Sequence, residues 1–284
     1  MDIPIFIVDA FTSSPFKGNP AAVCLLPSPL QDDLYQKIAA EMNLSETAFV
    51  ICLQSSLSAG THFALRWFTP INEIVLCGHA TLASAAVLFY HKKNPNPAVV
   101  FQTLSGDLCV RQNGESLVMD FPLNKPIAQD QREFAELCKA ALGDLPVEDV
   151  CYCAKTKNLL VHLDDTCDRS VLTSIRPDPE KMLHCDSSGN IKGIVVTIKG
   201  DRTSPPTYDF FSRYFAPWHG VTEDPVTGST HTILAAYWSK KLGKQKMLAY
   251  QCSKRGGELE VEIKGDRVDI TGQAVIVLQG TLLL

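Results

Sequence analysis

The chain has 284 residues, more than a single hydrophobic core usually organises, so we expect two lobes of about 100–150 residues each. Hydrophobic residues make up 45% of the chain and charged residues 20%, and the formal net charge is -5. This composition is typical of a globular protein and gives no general attraction to nucleic acid or to an anionic membrane. Neither is expected as a partner.

The ten cysteines are scattered along the chain, with no C-x-x-C pair and no Cys/His spacing of the kind found in zinc sites. We therefore predict no metal site and no disulfide framework. Reduced thiols are the usual state in the cytosol, so a cytoplasmic location is expected.

The first predicted element is a strand in MDIPIFIVDAF, which lacks the basic residues that begin a signal peptide. FKGNPAAV (16–23) follows, and Gly18-Asn19 before a proline predicts a tight turn. A helical pattern then gives way to a strand at NLSETAF (43–49), where Glu46 lies between two hydroxyls. Taken alone, Glu46 is either a loop carboxylate that accepts backbone hydrogen bonds or a proton carrier.

Two later segments share one order of residue types, WFTPINEIVLCGHATLASAAVLFYHKK (67–93) and YFAPWHGVTEDPVTGSTHTILAAYWSKK (214–241). Each runs from aromatic-Phe-x-Pro through a short loop to a glycine, an Ala-rich run and a lysine pair. Alternating strand signals around a Gly-containing turn follow each copy, at 105–121 and 256–271, and predict a hairpin in each half. The pattern indicates an internal repeat of about 150 residues.

The spacer FPLNKPIAQ (121–129) contains two prolines and is the predicted hinge, with lobes at 1–122 and 123–284. The C-terminal strand can return to the first lobe. The Ala-rich runs, 80–90 and 230–238, are apolar or small on nearly every face, which predicts helices enclosed on all sides. Because strands dominate the rest, the expected fold class is α+β, with a curved sheet around one helix per lobe. The last apolar segment, Ile270 to Leu284, contains glycines and is shorter than the ~20 residues of a membrane-spanning helix.

Gly78-His79 and Gly228-Ser229 open the two predicted helices at matching points of the repeat. A helix start offers free backbone N–H groups at the positive end of the dipole, so two such starts facing each other would hold a carboxylate. The alternative is an ordinary Gly/Ser helix start.

Other residues also have simple structural explanations when each is considered alone. His79 is then a satisfied core or capping histidine. Asp224, which precedes a proline in VTEDPVTGS, shapes an Asx turn.

Four motifs together resemble the PhzF family, the phenazine-biosynthesis isomerases and their relatives: FTSSPFKGNPAAV (11–23), EMNLSETAFV (41–50), WFTPINEIVLCGHATL (67–82) and RYFAPWHGVTEDPVTGS (213–229). They are spread over most of the chain in the family's order. The resemblance implies the diaminopimelate epimerase-like fold, with two pseudo-symmetric lobes, each a β-barrel wrapped around a central helix. It places the active site in the cleft.

By matching motif, Glu46 resembles the family's proton-shuttling acid/base, and His79 and Asp224 are the other expected catalytic residues. The residues expected to bind substrate are Gly18, Asn19, Cys77, Gly78, Gly228 and Ser229. A carboxyl group in a dry cleft can give and take a proton near neutral pH, so this chemistry needs no metal and no organic cofactor.

Related epimerases use two cysteines, one at each helix start. Here Cys77 takes the first position, but Thr227 takes the second, and a threonine hydroxyl is too weak an acid to replace a thiolate. Symmetric two-base racemisation is therefore not expected. One-sided epimerase- or dehydratase-type chemistry at Cys77 stays open, as does the alternative of a thiol that only fills space.

Two functional hypotheses follow. The first is a cofactor-independent isomerase that moves a proton within a small carboxylate-bearing substrate. The second is a non-catalytic binding or regulatory protein on the same scaffold, for which the family's animal members suggest a WD-repeat protein partner. Relatives also suggest a homodimer. The joint presence of Glu46, His79, Asp224 and Ser229 favours catalysis, because a scaffold has no physical need for all four.

Overall fold

The structure is a computed structural model, and it describes residues 2–54, 56–201 and 206–284. It divides into two compact units, the first formed by Met1–Phe121 with Asp269–Leu284 and the second by Pro122–Val268. Among the described residues, no helix is both long enough and apolar enough to cross a membrane.

The α-helices are α1 (Asp32–Met42), α2 (Gly78–Ala86), α3 (Ala135–Leu142), α4 (Arg169–Ser174), α5 (Pro179–Cys185) and α6 (Gly228–Leu242). A π-helical turn, Val87–His91, continues α2, and 3-10 turns cover Gln131–Phe134 and Pro217–His219. The strands are β1 (Asp2–Ala10), β2 (Asn19–Leu26), β3 (Glu46–Cys52), β4 (His62–Phe68), β5 (Glu73–Ile74), β6 (Ala98–Thr103), β7 (Gly106–Asn113), β8 (Ser116–Pro122), β9 (Ile127–Ala128), β10 (Val147–Cys153), β11 (Asn158–Leu163), β12 (Gly193–Lys199), β13 (Phe210–Phe215), β14 (Lys246–Gln251), β15 (Gly257–Lys264), β16 (Arg267–Gly272) and β17 (Ala274–Leu283).

In the first unit, β17 pairs antiparallel with β1. From β1 onward the pairings alternate: β1–β2 antiparallel, β2–β3 parallel, β3–β4 antiparallel, β4–β6 parallel and β6–β7 antiparallel. A parallel pair needs a crossover connection, and α1 supplies it between β2 and β3, while α2 supplies it between β4 and β6.

The second unit repeats this order. Its pairings are β10–β11 antiparallel, β11–β12 parallel, β12–β13 antiparallel, β13–β14 parallel and β14–β15 antiparallel. Helices α4 and α5 connect β11 to β12, and α6 connects β13 to β14. Helices α2 and α6 therefore occupy the same place in the order of their units.

The Ala-rich sequence of α2 explains its position. All nine of its residues are buried, and the helix packs against β1, β2, β3 and β17. Alanine side chains let strands approach the helix closely on every side. Burial of the apolar helix surface is the main contribution to the stability of this packing. In the second unit α6 packs against β11, β14 and β15, with Trp238 almost fully buried.

Each unit fixes the loop before its central helix with a bidentate arginine–glutamate pair. Arg66 of β4 donates to Glu73 at 2.7 and 2.8 Å. Arg213 of β13 donates to Glu223 at the same two distances. Arg213 is only 6% exposed, so removing its carboxylate partner would leave a buried charge, at a cost of roughly 3–5 kcal/mol. These pairs hold the chain segments that lead to Cys77 and Thr227.

Candidate functional site

Three local features bring the predicted residues of the first unit together. Gly18 has φ +65, and a Cβ there would lie 2.1 Å from the carbonyl oxygen of Ala10, so only glycine fits this turn. The turn delivers Asn19 to the first position of β2. Helix α1 ends at Asn43 in the left-handed conformation, and β3 begins at Glu46, which is in register with Ala21 of β2. Asn19 and Glu46 therefore lie at the same end of a parallel strand pair.

Glu46 pairs with His79, the second residue of α2. Its Oε2 lies 3.1 Å from His79 Nε2, and the two side chains are 16% and 4% exposed. No hydrogen-bond partner for Oε2 is present among the described residues beyond this pairing. Glu46 is thus not the loop carboxylate with backbone donors that its local sequence alone suggests.

The other nitrogen of His79 faces Asn19 and Cys77. Asn19 Nδ2 lies 3.1 Å from His79 Nδ1, and Cys77 Sγ lies 3.4 Å from it. The Ser45 hydroxyl donates to Asn19 Oδ1 at 3.2 Å and also lies 3.3 Å from His79 Nε2. With the Asn19 amide in this orientation, Nδ1 of the neutral ring is an acceptor and the ring proton lies on Nε2, between Glu46 and Ser45.

Burial and neighbouring charges shift the pKa values of this cluster, and for His79 they act in opposite directions. Burial raises the pKa of the Cys77 thiol to about 11, so the thiol is protonated at neutral pH. Burial alone lowers the pKa of His79, but the charges of Cys77 and Glu46 outweigh it and raise that pKa well above 6.5. Since Cys77 is neutral at pH 7, Glu46 is the charge that acts there.

One ligand atom from each of Glu46, Cys77 and His79 lies within 4.8 Å of the others, a spacing that a metal ion requires. Both nitrogens of His79 already have polar neighbours within 3.4 Å, however. A metal ion would have to displace those neighbours to reach either nitrogen, so the cluster fits proton transfer better than metal ligation.

In the second unit Asp224 is tied to the start of α6. The Thr227 hydroxyl donates to Asp224 Oδ2 in a short hydrogen bond. Gln251, at the end of β14, completes this network: its Nε2 donates to the Asp224 carbonyl at 2.8 Å, and its Oε1 accepts from the Thr227 N–H at 2.9 Å. The Asp224 carboxylate is therefore held by Thr227, and its backbone carbonyl by Gln251.

Helix α6 begins at Gly228, with Ser229 half-buried and the extended residue Thr227 before it. His231 lies in the first turn and is fully buried; its Nδ1 donates to the Thr227 carbonyl at 2.8 Å. Burial lowers the pKa of His231 to about 4, so the ring is neutral. The pKa of His231 is therefore shifted in the opposite direction from that of His79.

The predicted site residues thus fall into two clusters, one per unit. In the first, Asn19, Glu46 and Cys77 each contact His79, with Gly18 and Gly78 nearby in the backbone. Asp224, Gly228 and Ser229 belong to the second. Sequence reasoning missed Ser45 and Gln251. Ser45 was visible as the first residue of S-E-T, whereas Gln251, more than twenty residues after Thr227, carried no local signal.

Sequence comparison finds relatives that match this chain over nearly its whole length. The profile of the PhzC-PhzF family, described as phenazine biosynthesis-like protein, matches residues 8–280. A rat phenazine biosynthesis-like domain-containing protein is 54% identical over 286 residues, which covers 99% of each chain. A Pseudomonas aeruginosa protein named as an uncharacterized isomerase is 43% identical over 286 residues and covers 100% of both.

Structural comparison supports the fold class. A phenazine biosynthesis protein of the PhzF family from Enterococcus faecalis superposes with a TM-score of 0.87 at 39% identity, covering 100% of both chains. A hydroxyproline epimerase from Agrobacterium vitis, solved with trans-4-hydroxy-L-proline, has a TM-score of 0.57 at 11% identity, covering 99% of this chain and 92% of that one, and this likeness concerns the fold alone. The predicted α+β, diaminopimelate epimerase-like fold is confirmed.

Proposed function

This chain belongs to the phenazine biosynthesis-like protein (PhzC/PhzF) family, as its four motifs predicted, and we propose that it is a cofactor-independent isomerase acting on a small carboxylate-bearing substrate. The observation that carries the proposal is the Glu46–His79 pair, in which a buried carboxylate oxygen without a hydrogen-bond partner among the described residues lies 3.1 Å from an imidazole nitrogen. The isomerase names of bacterial relatives support the reaction class.

Glu46 is the proposed proton carrier. Its carboxylate removes a proton from a carbon of the substrate, and the electron pair of that C–H bond moves into the adjacent unsaturated system. The protonated Glu46 then returns the proton at another position of the same molecule. No net redox change occurs, so no external electron acceptor is needed. His79, with its Nε2 3.1 Å from Oε2, is proposed to hold the carboxylate in place until substrate arrives.

The start of α6 is the proposed contact for the substrate carboxylate. Its first backbone N–H groups lie at the positive end of a 15-residue helix, and Gly228 presents no side chain to block an anion. No acidic residue occupies its first turn. Asp224, fixed by Thr227 and Gln251, is proposed to orient the substrate.

One-sided chemistry at Cys77 is a second candidate, favoured by the 3.4 Å contact between its Sγ and His79 Nδ1. In that reaction the thiol proton passes to Nδ1, and the thiolate then removes the substrate proton. A buried thiol with a pKa of about 11 resists this transfer. Direct proton transfer by Glu46 is therefore the favoured route.

The proposal is tested by solvent deuterium exchange. A panel of cyclic and β-hydroxy acids is incubated with the protein in D₂O and followed by proton NMR. We expect at least one compound to exchange with the wild type and to slow by about 10²- to 10⁴-fold with Glu46→Gln, the usual contribution of general acid–base catalysis.

The matched control is Glu41→Gln, a change of an exposed glutamate at the end of α1. It should exchange at the wild-type rate. If no compound exchanges faster with the wild type than with Glu46→Gln, the proton-carrier proposal fails. The binding or regulatory alternative would then be the better account.

A further inference from the structure

A third histidine of the molecule, His162 in the second unit, is held in one tautomer. His162 lies on β11 and is 2% exposed. Tyr237 donates its hydroxyl proton to Asp149 Oδ2 at 2.6 Å, so the phenol oxygen is left to accept from His162 Nδ1 at 2.9 Å. Nδ1 therefore carries the hydrogen, and Nε2 presents a lone pair.

That lone pair has no hydrogen-bond partner among the described residues. The polar atom it faces is another acceptor, Asp165 Oδ1, at 3.9 Å. A carboxylate of Glu148 lies on the other side of the ring, 3.5 Å from Nδ1. With the ring hydrogen on Nδ1, no proton lies between Nε2 and Asp165. Two electron-rich atoms thus face each other at a distance too long for a hydrogen bond.

We propose that His162 Nε2 and Asp165 bind a divalent transition-metal ion of the zinc class, with Glu148 as the third protein ligand. One ligand atom from each of the three lies within 4.8 Å of the others. Tetrahedral zinc with bonds of about 2.0–2.2 Å holds its ligand atoms about 3.4 Å apart, so Asp165 needs to move by about half an ångström, and the Glu148 carboxylate needs to turn from Nδ1 toward Nε2. Asp165 is 64% exposed, on the loop after β11, and is free to do so.

The surroundings resemble those of known metal-bound histidines. A ligating imidazole normally donates its second N–H to a fixed acceptor that sets the tautomer, and here Tyr237 and Asp149 provide that chain. Lys241 binds Glu148 and Asp149, at 2.7 and 2.6 Å, and neutralises only part of the negative charge. Asp165 adds a further, exposed carboxylate, so the cluster keeps a net negative charge that attracts a cation. Imidazole with carboxylate is a ligand set that suits zinc.

The test is a titration of the full-length chain with ZnCl₂ at pH 7, followed by calorimetry and by ¹⁵N NMR of the histidine side chains. The His162 Nε2 resonance should start as an unprotonated nitrogen and shift on binding of one ion per chain. Asp165→Asn should weaken that site by roughly tenfold or more, since it removes a ligand. Asp144→Asn, a change at a 90% exposed loop aspartate of the same unit, should leave it unchanged.

Equal zinc affinity in the wild type and Asp165→Asn, with His162 Nε2 unmoved, would overturn the proposal and assign the binding to thiols such as the exposed Cys185. Finding both nitrogens of His162 protonated at pH 7 before zinc is added would also overturn it, because the contact with Asp165 would then be an ion pair. Neither result bears on Glu46, so this proposal and the isomerase proposal succeed or fail separately.

Discussion

The starts of α2 and α6 share one backbone design and differ in chemistry. Both helices begin with a glycine after an extended residue, Cys77 with φ -139 and Thr227 with φ -118. Neither preceding residue caps its helix through its side chain, and neither first turn contains an acidic residue. Each start therefore presents the backbone N–H groups of its first turn at the positive end of the helix dipole.

Their histidines lie in opposite electrostatic surroundings. Pairing with Glu46 raises the pKa of His79, while burial without a charged partner lowers the pKa of His231 to about 4. This difference motivates the proposed division of roles, with proton transfer at the start of α2 and anion binding at the start of α6. The comparison teaches that a carboxylate neighbour, and not the helix start itself, sets the direction of the histidine pKa shift.

The largest expected effect comes from His79→Gln, which keeps an N–H donor for Glu46 but removes the titrating ring. We expect activity to fall by about 100- to 1,000-fold. The raised pKa means that the charged pair is complete below the unfolded-state pKa of His79 and is lost as pH rises through the folded-state pKa. The rate of the wild type should therefore fall as pH rises through the folded-state pKa of His79. The variant should not show this decrease. An unchanged profile would contradict the role of His79.

His231→Leu tests the difference between the two histidines through the pH dependence of the free energy of unfolding. Because the folded-state pKa of about 4 lies below the usual 6.5, the unfolded state takes up the proton first as pH falls. The free energy of unfolding should decrease between about pH 6.5 and pH 4, and this histidine accounts for up to about 3 kcal/mol of the decrease. Urea denaturation at several pH values measures it. A variant with the wild-type pH slope would show that His231 is not the buried neutral group described.

Thr227→Val tests whether the start of α6 depends on the network with Asp224 and Gln251. The change keeps the shape of the side chain and removes the hydroxyl, so we expect a loss of about 1–2 kcal/mol in the free energy of unfolding. Thr222→Val, at an exposed position of the same loop, is the control and should be close to neutral. Equal stability of the two variants would mean that the short Asp224–Thr227 bond contributes nothing measurable.

Cys77→Ala has the smallest expected effect. Removing the buried sulfur should cost about 1 kcal/mol of stability and change the deuterium exchange rate by less than about tenfold. Exchange kinetics and urea denaturation of the same preparation separate these two effects. A loss as large as that of Glu46→Gln would favour the thiol route.

Much of this organisation is predictable from residue types. The Ala-rich runs indicated enclosed helices, and α2 is buried at every position. The recurrence of aromatic-Phe-x-Pro before a glycine pointed to matching helix starts, and the structure places α2 and α6 there. The arginine–glutamate pairs were not predicted, although an arginine precedes each aromatic-Phe pair and a glutamate lies in each loop.

The contacts across the fold were not predictable from local patterns. Gln251 reaches Thr227 only because β14 runs parallel to β13, and His162 meets Asp149 and Tyr237 only after β10, β11 and α6 have packed. Sequence spacing carries no information on such partners. The direction of a histidine pKa shift depends on them, which is why His79 and His231 could not be distinguished before the fold was known.

The most direct test of the central claim is the rate of solvent deuterium incorporation into one substrate, compared between Glu46→Gln and Thr227→Val in the same D₂O buffer. The two variants alter one polar group near each helix start. The account predicts that Glu46→Gln slows exchange by about 10²-fold or more, whereas Thr227→Val changes it by less than about tenfold. Exchange at the wild-type rate in Glu46→Gln would contradict the account.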